Sequence, residues 1–310
     1  MTEHDTDREI DTEVPTALGA LHAIIRLPQA VGALPGVVLV DGSGDGDRHG
    51  WGGWPEWICD AGAAVLRHDK PGCGGSPGDW TKQTLQDRAM ETLAAVRVLR
   101  AHPAAAGQPV GLYGISQGGW VALIAAAISP DVDFVICHSG PGTTPAVQER
   151  DRIEKSLCAA GLDDKTITDG MRWVDERAAM IRRGDSPGDL LHAQSTFADR
   201  PWYTSVTFNY DDPALLGFIS RILDFDPTSV LPDVHCPVLA LFGGADTTVP
   251  VQASLQAFAE YLPPAPRGHG FVADPDPTIN RRDQLAPAYL PTLTAFLADR
   301  RRAETQEAAR

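Results

Sequence analysis

The run PVGLYGISQGGWVALIAAA, Pro109 to Ala127, constrains the fold of this chain more than any other stretch. A short apolar segment ends in Gly114-Ile115-Ser116-Gln117-Gly118 and gives way at once to a segment that is apolar on every side. A strand that becomes a helix within so few residues forces the serine at its tip into a strained backbone conformation. Glycine is needed two residues before and two after, because a side chain there would collide with the neighbouring strand and helix. A helix apolar all round is a buried helix. The turn therefore belongs at the carboxyl end of a covered sheet, with the Ser116 hydroxyl raised above it.

The same rhythm recurs along the chain. GVVLV (Gly36–Val40), GAAVLRHD (Gly62–Asp69), VDFVICHSG (Val132–Gly140) and PVLALFGGAD (Pro237–Asp246) are short, apolar and bounded by glycine, as suits parallel strands buried on both faces. LQDRAMETLAAVRVLRA (Leu85–Ala101) carries an apolar stripe at helical spacing. Strand then helix, repeated, predicts a mostly parallel, doubly wound α/β sheet with right-handed crossovers and a ligand site at the carboxyl ends of its strands. From residue 143 the rhythm breaks: the chain reads helical, charged and aromatic (Trp173, Trp202, Tyr203, Phe208, Tyr210, Phe218) until strands resume near Cys236. The expected organisation is a flexible acidic tail over 1–16, core over 17–142, a helical cap or lid over 143–234, core again over 235–301, and a flexible tail over 302–310.

Composition narrows the function. A formal charge of −15 repels nucleic acid and anionic membranes and leaves small molecules as ligands. Five scattered cysteines, with no CxxC pair, read as free buried thiols of a reducing compartment. The acidic start MTEHDTDREIDTE is no signal peptide, and no apolar run spans a membrane, so a cytoplasmic monomer or homodimer is expected.

A serine hydroxyl is a weak nucleophile until a base takes its proton, and the base is held in one tautomer by a carboxylate. Both follow Ser116 in the chain. Asp246 comes just past the strand PVLALFGGA, and His269 lies in RGHGF between two glycines that would let a loop carry the ring over Ser116. The main rival for the base is His138, which ends the strand VDFVIC and would also face the pocket. Asp224, Asp226 and Asp233 rival Asp246, but none follows an apolar strand.

With GSGDGDR (Gly42–Arg48), HDKPGCGGS (His68–Ser76), GISQGG (Gly114–Gly119) and the GAD and GHG segments in hand, the chain resembles the α/β-hydrolase superfamily. More narrowly it resembles bacterial serine hydrolases and esterases with a Gly-Ser-Gly loop and a G-x-S-x-G turn. The resemblance covers roughly residues 20–140 and 236–300, and its motifs are weak on substrate. It implies a catalytic triad of Ser116, Asp246 and His269.

Other readings of the loop after Val40 fail on counting. Asp41, Ser43, Asp45 and Gly46 fit the start of an EF-hand loop, but Gly52 stands where a bidentate glutamate is required, and a strand precedes it where a helix is needed. Gly42, Gly44 and Gly46 match neither phosphate-binding glycine pattern. No metal and no organic cofactor is expected. What remains is an oxyanion hole: one backbone N–H from Gln117, the other from Ser43 or its neighbour Gly42.

Three features depart from, or add to, that resemblance. Asp41 stands where relatives usually carry a histidine that braces the loop, and Arg48 is the natural partner of Asp41, Asp45 or Asp47, or else a contact for a substrate carboxylate. Only PPAPRG separates the helix ending near Leu262 from His269, too short and proline-rich for the strand that should lie there; either that strand is vestigial or the His269 loop is placed unusually. Trp51, Trp54 and Trp57 follow the loop, and Trp51, Trp202, Tyr203 and His138 are the candidate substrate contacts. The expected activity is hydrolysis of an ester, less readily a thioester or amide, of a partly apolar small molecule through an acyl-enzyme on Ser116. The alternatives are a lyase, epimerase, acyl transferase or cyclase on the same scaffold, or a non-catalytic ligand receptor.

Overall fold

One sheet of eight strands organises the molecule, in the order β1-β2-β4-β3-β5-β6-β7-β8. The computed structural model describes residues 8–29, 32, 34–208, 210–244, 246–266, 268–274 and 285–307. Strands β1 (Glu9–Thr16) and β2 (Gly19–Arg26) form a hairpin, and β2 runs antiparallel to β4 (Ala64–His68). From β4 onward, through β3 (Gly36–Val40), β5 (Val110–Ile115), β6 (Val135–His138), β7 (Val238–Gly243) and β8 (Gly270–Asp274), every pairing is parallel. The central strands are buried along their length, which is why their sequences show no alternation of polar and apolar residues.

Helices cover both faces. On one lie α2 (Leu85–Ala101), α3 (Gln117–Ile128) and α9 (Val251–Tyr261); on the other lie α1 (Trp54–Asp60) and α10 (Tyr289–Glu307). The start of α2 is fixed by a reciprocal cap: the Asp87 N–H donates to Thr84 Oγ1 and the Thr84 N–H donates to the Asp87 carboxylate. Helix α3 is apolar all round because it is enclosed by the sheet, α2 and the helices that follow β6. Those are α4 (Pro145–Ala159), α5 (Asp164–Arg183), α6 (Pro187–Ser195), α7 (Tyr203–Thr207) and α8 (Pro213–Ile222). They share an apolar core of their own around Ile153, Leu157, Trp173, Trp202 and Leu216.

Several expectations are corrected. The acidic segment up to residue 16 is not a tail from residue 9 onward: it is edge strand β1, with Val14 buried and Glu9 accepting from Arg26 Nη1 at 2.9 Å and from Arg67 Nη2 at 2.7 Å. Its acids pair with core arginines as well as facing solvent. At the other end α10 continues to Glu307, through most of the segment expected to be free. Cys158 is exposed on α4, so the thiols are not uniformly buried.

The last strand is unusual. Between the end of α9 and His269 stand Pro263, Pro264 and Pro266, which lack the N–H a sheet ladder needs. The first segment able to pair with β7 is the one after His269, and Gly270 pairs with Leu239.

His138, Trp51, Trp202 and Tyr203 also lie elsewhere than expected. On the α1/α10 face, Tyr113 Oη and Tyr289 Oη sit 2.5 and 2.6 Å from His138 Nδ1, and the Trp54 ring meets the imidazole edge-on at 5.0 Å. His138 is thus core, because its cross-strand neighbours Ile115 and Leu241 direct it to that face. Trp51 is buried in the same cluster. Trp202 is 1 % exposed inside the core of α4–α8, with its indole N–H donating to Asp169 Oδ2 at 2.9 Å, and Tyr203 packs partly buried against that cluster.

Two measurements follow. Burial pushes the His138 imidazole down to about 3 from an ordinary 6.5. Below pH 6.5 the unfolded chain gains a proton that the folded chain refuses, so His138 costs stability as pH falls towards 3, with a slope of about 1.4 kcal/mol per pH unit. Urea unfolding at pH 7 and pH 5 should show wild type losing about 2 kcal/mol more than His138→Phe over that interval. Replacing Trp202 by alanine should destabilise the protein by about 3–5 kcal/mol in the same assay, whereas Trp202→Phe should leave KM for any substrate unchanged.

Candidate active site

Ser116 sits at the carboxyl end of β5 with φ 51° and ψ −119°, conformational strain of about 1–3 kcal/mol for a residue with a side chain. The surroundings explain the flanking glycines. A Cβ on Gly114 would lie 2.3 Å from the Gly118 carbonyl oxygen, and a Cβ on Gly118 would lie 2.1 Å from the Val40 carbonyl oxygen. The Ser116 N–H donates to the His138 carbonyl at 2.9 Å, tying the turn to β6. The Ser116 hydroxyl makes no capping bond, and Gln117, first residue of α3, has an N–H with no partner inside its helix.

The loop after β3 is held from behind by two buried cations. Lys70, 1 % exposed, donates from Nζ to the Gly42 carbonyl at 2.6 Å and the Gly44 carbonyl at 2.5 Å. Arg88, 2 % exposed, donates from Nη2 to the Asp41 carbonyl at 3.0 Å and from Nη1 to Gln117 Oε1 at 2.7 Å. Peptides here are trans, so C=O and N–H of one unit point opposite ways. With the Gly42 carbonyl turned to Lys70, the Ser43 N–H in the same unit faces away from it. The Gly42 N–H is taken by Asp41 Oδ1 at 2.7 Å, which removes Gly42 from the candidate donors.

Asp41 is therefore turned onto its own backbone. Its Oδ2 lies so close to Gly46 that a Cβ there would approach to 1.7 Å, so only glycine fits. Arg48 is not its partner. The Arg48 guanidinium donates to Asp69 Oδ2 at 2.6 Å, its N–H to Asp69 Oδ1 at 2.8 Å, and Ser76 Oγ donates to the same carboxylate at 2.8 Å. HDKPGCGGS thus serves as the brace of GSGDGDR: Asp69 fixes the far end of the loop and Lys70 its middle. Burial lowers the Lys70 pKa to about 7, with Arg88 adding to the effect and Asp41 opposing it.

Ser43 and Gln117 open into one cavity of about 200 Å³ between α3 and the helices α4 and α8. Trp120, Leu215, Phe218, Ile219 and Ile222 give it apolar walls; Glu149 and Tyr210 give it a polar one. Glu149 accepts from the Arg152 guanidinium, and the Tyr210 ring lies 3.4 Å from the Arg177 guanidinium carbon. Apart from Trp120 of α3, the apolar lining comes from the segment inserted after β6, though not from Trp202 and Tyr203.

Asp246 lies past the carboxyl end of β7, as its sequence position implies, where its Oδ1 accepts from the Thr248 and Val249 N–H groups at 2.7 and 3.0 Å. His269 does not join it. The ring precedes β8 instead of following it, so it sits at the amino end of the sheet: Nδ1 accepts from the Val238 N–H at 3.2 Å, and Nε2 bonds the Pro263 carbonyl at 2.7 Å. Ser116 is level with the residue four places after His269 and three strands across. At ~3.3 Å per residue and ~4.8 Å per strand, that is a separation of roughly 20 Å. No histidine follows residue 269. The structure brings Ser116, Gln117 and Ser43 together, leaves Asp246 at the same end, and separates His269 from them.

Lys70, Arg88 and Glu149 were not among the candidates. Arg88 had a signal: it falls on the apolar stripe of α2, one turn from Leu85 and Thr92, where an arginine needs a buried partner. Glu149 had none, since α4 reads as a charged surface helix.

Comparison with known proteins agrees with this architecture. The model of the alpha/beta hydrolase family matches residues 26–288. The chain is 30% identical over 236 residues to a pimeloyl-[acyl-carrier protein] methyl ester esterase of Methylococcus capsulatus, covering 70% of this chain and 79% of that one. It is 23% identical over 218 residues to a thiohydrolase of Aspergillus aculeatus, covering 65% and 66%. Among solved structures an esterase of Pyrococcus furiosus superposes with a TM-score of 0.62 at 16% identity, covering 96% of this chain and 94% of that one. With a strained serine between strand and helix, an eight-stranded sheet and this match over most of its length, the chain belongs to the alpha/beta hydrolase family of enzymes.

Proposed function

We propose that this enzyme hydrolyses thioesters and activated esters of short to medium-length acids through an acyl-enzyme on Ser116. The observation that carries the reading is the strained serine next to Gln117, which with Ser43 lines one cavity. In the proposed reaction Ser116 Oγ attacks the carbonyl carbon and its proton passes to solvent water. The oxyanion that forms is held by the Ser43 and Gln117 N–H groups, the bond to the leaving group breaks and the group departs as an anion. Water then adds to the acyl carbon so that the acid leaves and Ser116 Oγ regains a proton.

The leaving group is where His269 matters. With its ring about 20 Å away, His269 does not act as the acid at Ser116 in this arrangement. An alkoxide or amine cannot leave readily without a proton, but a thiolate (pKa ~8.5) or a phenolate (pKa ~10) can. The geometry thus favours thioesters and aryl esters over alkyl esters and amides. The cavity is small, about 200 Å³, and mostly apolar-walled, as suits a short to medium-length acyl chain. Glu149 on its wall disfavours an acyl chain ending in a carboxylate.

Labelling with a fluorophosphonate and mapping the modified peptide tests the core of the reading: Ser116 should carry the label, and an unlabelled Ser116 in folded protein would sink it. Steady-state assays test the rest. Hexanoyl thioesters should be cleaved faster than hexanoyl alkyl esters, with Ser116→Ala abolishing the acyl-enzyme and His269→Ala leaving kcat within about 2-fold. A fall of about 10⁴-fold in His269→Ala would refute the base-free chemistry and assign the proton transfer to that ring in another arrangement of residues 262–274.

A further inference from the structure

We propose that Lys70 and Arg88 are the positioning residues of the oxyanion hole, Lys70 through the Gly42–Ser43 peptide and Arg88 through the Asp41 carbonyl and the Gln117 side chain. The inference rests on the assignment of Ser116 as nucleophile and concerns groups that touch no substrate. Each cation takes two acceptors, and the four acceptors belong to the two segments that supply the backbone donors. Lys70 stands behind Gly42 and Gly44, under the Trp80 ring at 5.1 Å, while the Trp80 indole N–H donates to Asp45 Oδ1 at 2.8 Å and so secures the next residue. The Lys70 N–H also donates to the Gly46 carbonyl at 2.9 Å.

The placement is costly in stability terms. Two cations within one interior repel each other, and the Asp41 and Glu91 carboxylates offset them in part. Replacing buried ions by apolar side chains of similar volume is often neutral or stabilising. A group kept for packing alone would not need two acceptors on the loop that faces the substrate. The grip survives loss of charge as well: a neutral amine still has two hydrogens for two carbonyls. What Lys70 supplies is direction. With the Gly42 carbonyl fixed, the Ser43 N–H is aimed before substrate arrives, and a donor already aligned costs no reorganisation as the oxyanion forms.

The test separates positioning from scaffolding. Lys70→Met should lower kcat on a hexanoyl thioester by about 10²-fold, with KM within about 3-fold, and should slow fluorophosphonate labelling of Ser116 by the same factor. Thermal unfolding should change by no more than a few degrees, or rise. In a Ser43→Pro background, which lacks the donor itself, Lys70→Met should have no further effect on kcat. Arg88→Lys keeps a charge but not the fork that reaches two acceptors, and it should lower kcat with the fold intact; it carries the test if the methionine variant does not fold. Wild-type kcat and labelling rate in folded Lys70→Met and Arg88→Lys would overturn the proposal, as would activity lost only in step with unfolding. If wild type itself is not labelled at Ser116, the assignment of the nucleophile falls and takes this inference with it.

Discussion

The contact between the last carbonyl of β3 and the first turn of α3 is the constraint on which the site depends. Val40 O would lie 2.1 Å from any Cβ at residue 118, so β3, the Ser116 turn and α3 can come together only over glycine. That approach sets three things at once. It forces Ser116 to a positive φ, it sets the first turn of α3 against the end of β3, and it brings the loop after Val40 beside that turn. The strain is tolerated because α3 is buried nearly end to end and cannot shift away.

Around that contact the molecule spends unusual resources on one loop. GSGDGDR is short, rich in glycine and without secondary structure, and it would be mobile if left alone. Instead the Asp41 carbonyl just before it is held by Arg88, its own carbonyls by the Lys70 side chain and backbone, and its end by Asp69 through Arg48. Two segments far apart in sequence, HDKPGCGGS and the start of α2, therefore serve the same few peptide units. The helices inserted after β6 then close a cavity over those units, with walls from Phe218, Ile219 and Ile222 and one carboxylate, Glu149.

Much of this was legible beforehand. The apolar stripe over Leu85–Ala101 matches α2 to the residue, since turn-spaced apolar side chains are a local signal. The strand runs and the serine turn are local too. Trp202, His138 and Trp51 illustrate what was not. Each is a large group whose type suggests a ligand contact, yet which face it presents depends on strand register or on the packing of helices distant in sequence. Arg88 and Glu149 illustrate the converse: charged side chains on helices read as surface until a second segment covers them.

His269 marks the boundary most clearly. The sequence by itself determined the class of sheet, the serine turn between strand and helix, and the need for a final strand where prolines leave no room for one. Only the tertiary structure decided where that strand comes from. β7 must pair its outer edge, Pro263, Pro264 and Pro266 cannot supply N–H groups, and so the segment after His269 is drawn in. Hydrogen bonding of a sheet edge thereby fixes the ring at the amino end, a consequence of pairing between distant residues that no local pattern encodes.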